Sequence, residues 1–482
     1  MSSRLPVSDD IIESILLCSR TFSSLLATIL TSKSFYRVFQ THPKSIVYSV
    51  AYNIAGPALP QAILCIRHPH ISKPALKHLG WGNEFEDSGD EEEAAENEPV
   101  DLEALLQEPI TAEETHKLVP NAKLVERMED LFSFRYHDRH SSSSQLSLSE
   151  STNFRKAVYH LMLYSSIFHP SSWPYVDDDS DESDFERRSR EQLRKRIKLL
   201  SALHTPELLQ MHSAAEFLRE MLSYCMRSDG YPDGVDDLAI GAGPRLIMQC
   251  FDRPEEGLAP LEDILDYIEE ELEFHPQVSR YLSDPLVKVL DERKVPHPPS
   301  DFTHWRSILP GITQDNSQCD RCSQNYGFMF FHRNTPKDQI PSGAYNIAHS
   351  DTHTHPWNNL PQFLKGTLRY NAVTKQSLRQ HVAQLGPNSL QQIWDTIWDL
   401  NLVEQISEPM VSPLADWKRD SFLCEQCLKD FLIENLWKWL RHAEAASGPL
   451  NENCWYGYNC RTQSHKLAHA EKLNHLCTQA KH

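Results

Sequence analysis

The chain has 482 residues, and 67 Asp and Glu against 47 Lys and Arg give it a formal net charge of -20. This balance argues against general attraction to nucleic acid, so any polyanionic partner would need a local basic patch. The N-terminus lacks the pattern of a secretory signal, and no apolar run approaches the length of a membrane span. We therefore expect a nuclear or cytoplasmic protein that is not secreted, makes no membrane contact and keeps its thiols reduced.

The composition predicts a mainly α fold. Thirty prolines against sixteen glycines favour helix ends over tight hairpins, and apolar residues recur at helical spacing through most of the first 295 residues. Only the aromatic run Tyr326–Phe331 suggests a short strand. The predicted segments are, in order, a helical segment 1–75, an acidic linker 76–115, an all-helical scaffold 116–298 with disordered inserts near 137–150 and 175–188, a zinc-knuckle region 299–448 of helices with some strand, and a small finger 451–478.

The first seventy or so residues carry a recognisable set of motifs. Leu5-Pro6 precedes a leucine-rich helical pattern, followed by Thr-Ser-Lys-Ser-Phe-Tyr at 31–36, His42-Pro43 and Asn-Ile-Ala-Gly-Pro-Ala-Leu-Pro-Gln-Ala at 53–62. This stretch resembles the F-box-like segment of a large group of fungal proteins. The resemblance implies docking of the Skp-type adaptor of cullin ubiquitin ligases through exposed leucines. The alternative is an ordinary helical cap on the next domain.

Two Cys-x-x-Cys pairs occur after residue 318, Cys319 with Cys322 and Cys424 with Cys427. A two-residue spacer lets both sulfurs of a pair chelate one ion, and two such pairs complete a tetrahedron. A single pair would also fit a redox motif, but two pairs without a thioredoxin-type pattern favour one shared structural zinc. Closing the long intervening loop costs entropy that grows only slowly with its length.

The last thirty residues contain a second candidate ligand set. Cys454 and Cys460 flank Gly457, and His469 and His475 follow. Two thiolates and two imidazoles suit tetrahedral zinc, and a segment with so few apolar residues needs metal for its order. His465 and Cys477 are rival ligands by position. We therefore expect two zinc ions in the chain.

The tail also carries a specific family signature. Cys-Trp-Tyr-Gly-Tyr-Asn-Cys-Arg-Thr-Gln at 454–463 and the Asn-His-Leu-Cys ending at 474–477 resemble the PBZ module, a poly(ADP-ribose)-binding zinc finger. The form is similar to that of a mitotic-checkpoint ubiquitin ligase with forkhead-associated and RING domains. The resemblance implies the ligands Cys454, Cys460, His469 and His475, with the adenine contact at Tyr456 beside Trp455. Arg461 follows the second cysteine, where many members have Tyr-Arg.

The chemistry of that ligand suits the tail independently of the family. Aromatic side chains stack on bases, and arginine pairs phosphate through a bidentate fork, so Trp455, Tyr456 and Arg461 have the chemistry that the implied ligand contacts need. The resemblances together imply a non-enzymatic reader of ADP-ribosylated proteins, serving ubiquitylation as an adaptor in DNA-damage or checkpoint signalling. The alternative is a structural zinc protein that binds nucleic acid or other proteins.

A histidine cluster provides the least favoured alternative. His349, His353 and His355 lie with Asp351 within seven residues and could form a metal-dependent hydrolase site. No second ligand group or general base stands out nearby, so we predict that the protein is not an enzyme.

Overall fold

The chain is mainly helical and folds as two compact units, Met1–Asn316 and Ser317–His482. The helical class agrees with the prediction. The computed structural model describes residues 7–67, 108–141, 143–169, 182–226, 239–252, 259–261, 281–296, 304–312, 318–324, 330–331, 360–385, 389–407 and 417–480.

The first unit contains eleven α-helices among its described residues. They are α1 Asp9–Leu17, α2 Phe22–Thr31, α3 Lys33–Thr41, α4 Pro43–Ala55, α5 Leu59–Arg67, α6 Ala112–Tyr136, α7 Leu148–Ile167, α8 Glu182–Ser201, α9 Thr205–Met226, α10 Gly243–Asp252 and α11 Ser283–Glu292.

Helices α1 to α4 enclose a small core of their own. Their helical spacing brings one apolar face of each helix inward, while Thr21 and Ser32 cap α2 and α3 through their side-chain oxygens. The buried residues of this core are Ile12, Leu16, Leu25, Ile29, Val38, Ile46 and Val50. The N-terminal segment is thus a compact helical layer.

The stretch Pro43–Arg67 is long and apolar enough to cross a membrane by length and composition alone, contrary to the expectation from the sequence. A buried core helix of a globular protein passes the same test. Here a 3-10 turn at Gly56–Ala58 interrupts the helix, and Ile46, Val50 and Ala51 are buried within the unit. Packing inside the unit therefore buries 44% of the apolar stretch.

An aromatic cluster forms the centre of the scaffold. Phe132 packs against Phe154 and Phe217, with ring centroids 4.6 and 5.4 Å apart, and Tyr136 stacks on Trp305 at 5.3 Å. Trp305 is therefore part of the first unit, which extends to Asn316. The predicted boundary at 298/299 is too early, because the prolines that mark it precede a segment whose tryptophan belongs to this core.

Two predicted irregular segments contain regular structure. The predicted acidic linker extends to 115, yet α6 starts at Ala112, after a capping box between Thr111 and Glu114. Residues 68–107 lie outside the described residues. Arg67 pairs with Glu114 at 2.6 Å, so this helix end is tied to α5.

The prediction of a disordered insert at the serine-rich stretch 137–150 is corrected by the hydrogen bonds of that stretch. The Ser144 N–H donates to Asp130, the Gln145 N–H donates to Ser133, and Ser147 forms a capping box with Glu150 at the start of α7. Serine serves here as a turn and cap former rather than as a sign of disorder. Of the second predicted insert, residues 175–181 lie outside the described residues and α8 starts at Glu182.

His160 on α7 gives the first unit a pH-dependent stability. The residue is half-buried, its Nδ1 is removed from solvent without a hydrogen-bond partner among the described residues, and burial lowers its pKa to about 4. A histidine in the unfolded chain titrates near 6.5, so below that pH the unfolded state binds more protons than the folded state. Stability is then present above about pH 6.5 and falls as the pH drops toward 4.

We expect about 1–2 kcal/mol to be lost from this group between about pH 7 and pH 5. Urea denaturation of the full chain at the two pH values would measure this loss, and His160→Leu should reduce it. The exposed His116 on α6 provides the control, since His116→Gln should leave the difference unchanged. An equal acid sensitivity in the wild type and His160→Leu would contradict the prediction.

The second unit combines four described α-helices with a two-stranded sheet. The helices are α12 Ala372–Leu385, α13 Ser389–Ser407, α14 Glu425–Ser447 and α15 Leu467–Lys472, and the strands are β1 Phe330–Phe331 and β2 Leu423–Cys424. The apolar face of α14 is buried: Leu428, Phe431, Leu432, Leu436, Trp439 and Leu440 all lie in the core of this unit. Gly448 follows the last residue of this helix and caps it.

Candidate metal centres

The first candidate centre joins two distant Cys-x-x-Cys pairs. The antiparallel pairing of β1 with β2 sets Phe330 opposite Cys424 and holds the second pair at the start of α14. The first pair lies in a turn that ends at Ser323, whose φ of 57° is left-handed. Asp320 ties the two segments together, because its N–H donates to the Phe422 carbonyl and its carboxylate accepts from the Phe422 N–H.

The geometry of this group fits a tetrahedral ion. The four Sγ atoms of Cys319, Cys322, Cys424 and Cys427 all lie within 4.8 Å of one another, and Cys322 and Cys424 are 3.8 Å apart. Bonds of about 2.3 Å to one ion at the tetrahedral angle would place sulfurs roughly 3.8 Å apart. A disulfide requires about 2.05 Å, and all four thiols are free. The group could therefore hold one metal ion.

The protein surroundings shift the pKa values of Cys319, Cys424 and Cys427 in different directions. Burial opposes ionisation of Cys319, but N–H groups of Cys322, Cys424 and Arg321 hold its pKa below the ordinary value. Burial raises the pKa of Cys424 to about 11 and raises that of Cys427 further. Such buried thiols become thiolates together only when a cation replaces their protons. The donor set therefore suits a soft, thiolate-binding divalent ion.

The second candidate centre is built by the last thirty residues. The Cys454 N–H donates to the Asn474 carbonyl and the Asn474 N–H donates to the Glu452 carbonyl, both at 2.8 Å. This pairing brings the two ends of the finger, residues 451–480, side by side. Two 3-10 turns, Gly457–Asn459 and Arg461–Ser464, and the short helix α15 complete it.

Cys454, Cys460, His469 and His475 lie together in this finger, as predicted, with one ligand atom of each within 4.8 Å of the others. His469 Nε2 is 3.8 Å from Cys454 Sγ and 3.4 Å from Cys460 Sγ. Zinc bonds of about 2.3 Å to sulfur and 2.0–2.1 Å to nitrogen predict separations of roughly 3.5–3.8 Å.

His475 provides an independent indication of an ion. Its side chain is 3% exposed, and neither ring nitrogen has a hydrogen-bond partner among the described residues. Burying an imidazole whose nitrogens have no partner costs folding free energy, and a metal ion bound to one nitrogen would offset that cost. Burial and the neighbouring His469 lower the pKa of His475, which favours the neutral form that binds metal.

The two rival ligands do not join the group. His465 is exposed, whereas Cys477 is buried with its Sγ 3.6 Å from the Cys454 carbonyl and 3.5 Å from the Asn474 carbonyl. The Tyr458 N–H donates to the Cys477 carbonyl at 2.9 Å, so Cys477 closes the finger through its backbone. Its role in the structure is packing rather than ligation.

The finger packs onto the rest of the second unit, a contact that the sequence does not predict. The buried amide of Asn371 donates to Gln463, and the Gln463 amide donates to Thr367, both at 2.9 Å. The Thr367 hydroxyl lies 2.9 Å from the Tyr458 carbonyl and 3.0 Å from the Cys460 carbonyl. The sequence gives no signal for this contact. Thr367, Asn371 and Gln463 cannot be told from polar surface residues until the chain has folded.

The predicted ligand-contacting residues lie on the outside of the finger. Trp455 and Tyr456 are 46% and 55% exposed, and Arg461 is exposed next to the ligand Cys460. Roughly half of each aromatic side chain therefore faces solvent on the outer surface of the finger.

The predicted histidine cluster of His349, His353 and His355 lies outside the described residues. No family model, curated protein or solved structure matches the chain.

Proposed function

We propose that the protein is a zinc-dependent, non-enzymatic reader of poly(ADP-ribose) that acts through the finger. The observation that carries this proposal is the juxtaposition of a four-ligand metal group with the exposed Trp455, Tyr456 and Arg461. The polymer offers adenines that stack on aromatic faces and paired phosphates that accept from arginine. Zinc is the ion whose preferred ligands and distances match both groups, which gives two ions per chain.

Tyr456→Ala is expected to weaken binding of poly(ADP-ribose) roughly 10- to 100-fold, because one base loses its stacking partner. Leu467→Ala is the matched control, since Leu467 is an equally exposed apolar residue of the same finger, at 59%. Filter binding with labelled polymer would measure both, with zinc content confirming that each finger is intact. Unchanged binding by Tyr456→Ala would count against the proposal.

Competition with unlabelled single-stranded RNA or DNA distinguishes the second class of function. A nucleic-acid binder would release the labelled polymer to RNA or DNA at concentrations comparable to the polymer itself. The net charge of -20 opposes the polymer and nucleic acid alike, so the competition, rather than the charge of the whole chain, separates the two classes.

A second proposed activity concerns the N-terminal helices. Ile11 and Ile15 on α1, and Leu26 and Leu30 on α2, are spaced at four residues and are between 46% and 74% exposed. Such paired apolar side chains on two consecutive helices, both packed against α3, suit docking to another protein. We propose the Skp-type cullin adaptor as that partner, which would make the chain a substrate receptor for ADP-ribosylated proteins.

Ile15→Glu with Leu30→Glu should abolish co-purification of the Skp-type adaptor, because charges would enter an apolar interface. Tyr48→Glu with Tyr52→Glu, on α4, is the control for simple loss of exposed apolar surface; these residues are 46% and 45% exposed. Circular dichroism would verify folding of both variants. Retained adaptor in the Ile15/Leu30 variant, or none with the wild type, would rule out this partner.

A further inference from the structure

The segment 360–385, which packs against the finger, has a charge unlike that of the chain. It contains four Lys or Arg and no Asp or Glu, in a protein with a net charge of -20. The described part of the finger, 451–480, adds three Lys or Arg against two Glu. Because Asn371 and Thr367 hold the two segments together, their positive charges belong to one continuous part of the second unit.

Exposed aromatic side chains are found in the same two segments, 360–385 and the finger. Four large apolar residues are exposed in the described part of the second unit, and Tyr370, Trp455 and Tyr456 are three of them. Tyr370 is the most exposed of these, at 61%, and the Arg369 guanidinium lies 5.9 Å from its ring centroid. Segment 360–385 thus has an exposed tyrosine beside an arginine, as the finger has in Tyr456 and Arg461.

The backbone keeps this second combination next to the first. The 3-10 turn Gly366–Tyr370 lies against the finger so closely that a Cβ at Gly366 would be 2.7 Å from the Tyr458 carbonyl. Lys365, one residue earlier, places its Nζ 5.4 Å from the Tyr458 ring centroid. The residue after the turn, Asn371, is bound to Gln463. The turn is therefore held against the finger at both ends.

The segment 360–385 has no carboxylate of its own, and the acids around it lie on the elements packed against it. Glu444 on α14 accepts from the Ser377 hydroxyl of α12 at 2.5 Å, which fixes its carboxylate beside α12. In the finger, the backbone carbonyls of Glu452 and Glu471 accept from Asn474 and Asn451, respectively, while their side chains are exposed. The positive charge of Lys365 and Arg369 is thus left uncompensated within 360–385 itself.

We propose that Lys365, Arg369 and Tyr370 form a second binding surface that holds a further unit of the same poly(ADP-ribose) chain bound by the finger. The inference rests on the proposed function and adds that the protein contacts more than one ADP-ribose unit of the polymer. Tyr370 stacks on an adenine, and Lys365 and Arg369 contact phosphates. The protein then prefers a polymer of several units over a single ADP-ribose, because one tether joins two contacts.

The test compares two probes, long poly(ADP-ribose) and a single ADP-ribose unit, on the zinc-loaded full-length protein. Arg369→Gln with Tyr370→Ala should weaken binding of the long polymer about tenfold or more while leaving the single unit unaffected. The salt dependence of polymer affinity should also decrease, by roughly 0.7 in the logarithmic slope for each phosphate that the variant no longer binds. Lys418→Gln with Tyr52→Ala removes one exposed cation and one exposed aromatic elsewhere and should change neither.

The outcomes separate this inference from the function on which it rests. If the wild type binds neither probe, the proposed function falls and the second surface with it. If the wild type binds the polymer and the Arg369/Tyr370 variant binds it equally well, only the second surface is overturned. An equal loss for both probes, or a loss confined to single-stranded RNA used as a third probe, would also overturn it.

Discussion

Chelation of metal from the full-length protein is expected to unfold the finger while leaving α14 helical. The finger buries few apolar side chains, among them Ala470 and Leu476, so its order depends on the ion. Structural zinc in such small modules contributes about 10–16 kcal/mol of apparent binding free energy. Helix α14 has in addition a continuous buried face that includes Phe431 and Leu436, and it should persist without metal.

Native mass spectrometry should find two zinc ions in the wild type, one for each tetrahedral ligand set. Cys454→Ser and Cys319→Ser should each lower the stoichiometry to one, and Cys18→Ser, at an exposed thiol of the first unit, should leave it at two. Hydrogen exchange after chelation should show loss of protection in 451–480 and retention in 425–447. Two ions in Cys454→Ser, or a finger that stays protected without metal, would refute the assignment.

Gly457→Ala is expected to disrupt the finger more than any other small substitution there. Gly457 has φ of 48°, and a Cβ at this position would lie 2.1 Å from the Cys477 carbonyl oxygen. The left-handed conformation costs about 1–2 kcal/mol for a residue with a side chain, and overpacking against backbone costs about 1–3 kcal/mol more. The Tyr458 to Cys477 hydrogen bond, which closes the finger, would have to lengthen.

The same chain offers a matched control at Gly448, where a Cβ would have no neighbour within 4 Å and where φ is an extended 168°. We expect Gly457→Ala to bind less than two zinc ions and to lose polymer affinity, and Gly448→Ala to resemble the wild type in both. Zinc stoichiometry and filter binding measure these results. Full zinc content in Gly457→Ala would show that the Cys477 segment can move away without cost.

Much of the local structure follows from short-range patterns. The face of α14 and its end at Gly448 follow from helical spacing and from glycine at the helix terminus. The core of α1 to α4 follows from the same spacing. Two predictions were wrong because local composition is ambiguous. The serines at 137–150 form caps and turns rather than a disordered insert, and Trp305 packs into a core formed by helices far away in the chain.

For the two metal groups as well, part of the arrangement is predictable from the sequence and part depends on the fold. Cys-x-x-Cys spacing identified the four ligands of the first group, and the resemblance of the tail to a known finger module implied the four of the second, which the structure also brings together. Spacing alone leaves His465 and Cys477 as rivals, and the folded backbone gives the physical reason they are excluded: it brings His469 to Cys460 and buries the Cys477 thiol against a backbone carbonyl.

The sequence by itself determined a mainly helical protein with two ligand sets and an aromatic, basic finger, since these features rest on periodicity and spacing. Only the tertiary structure decided that the finger is packed against residues 360–371 and that Tyr370 and Arg369 lie beside it. That contact joins residues about ninety positions apart through buried amides and hydroxyls. Such pairs follow no local period, so their partners are known only once the chain has folded.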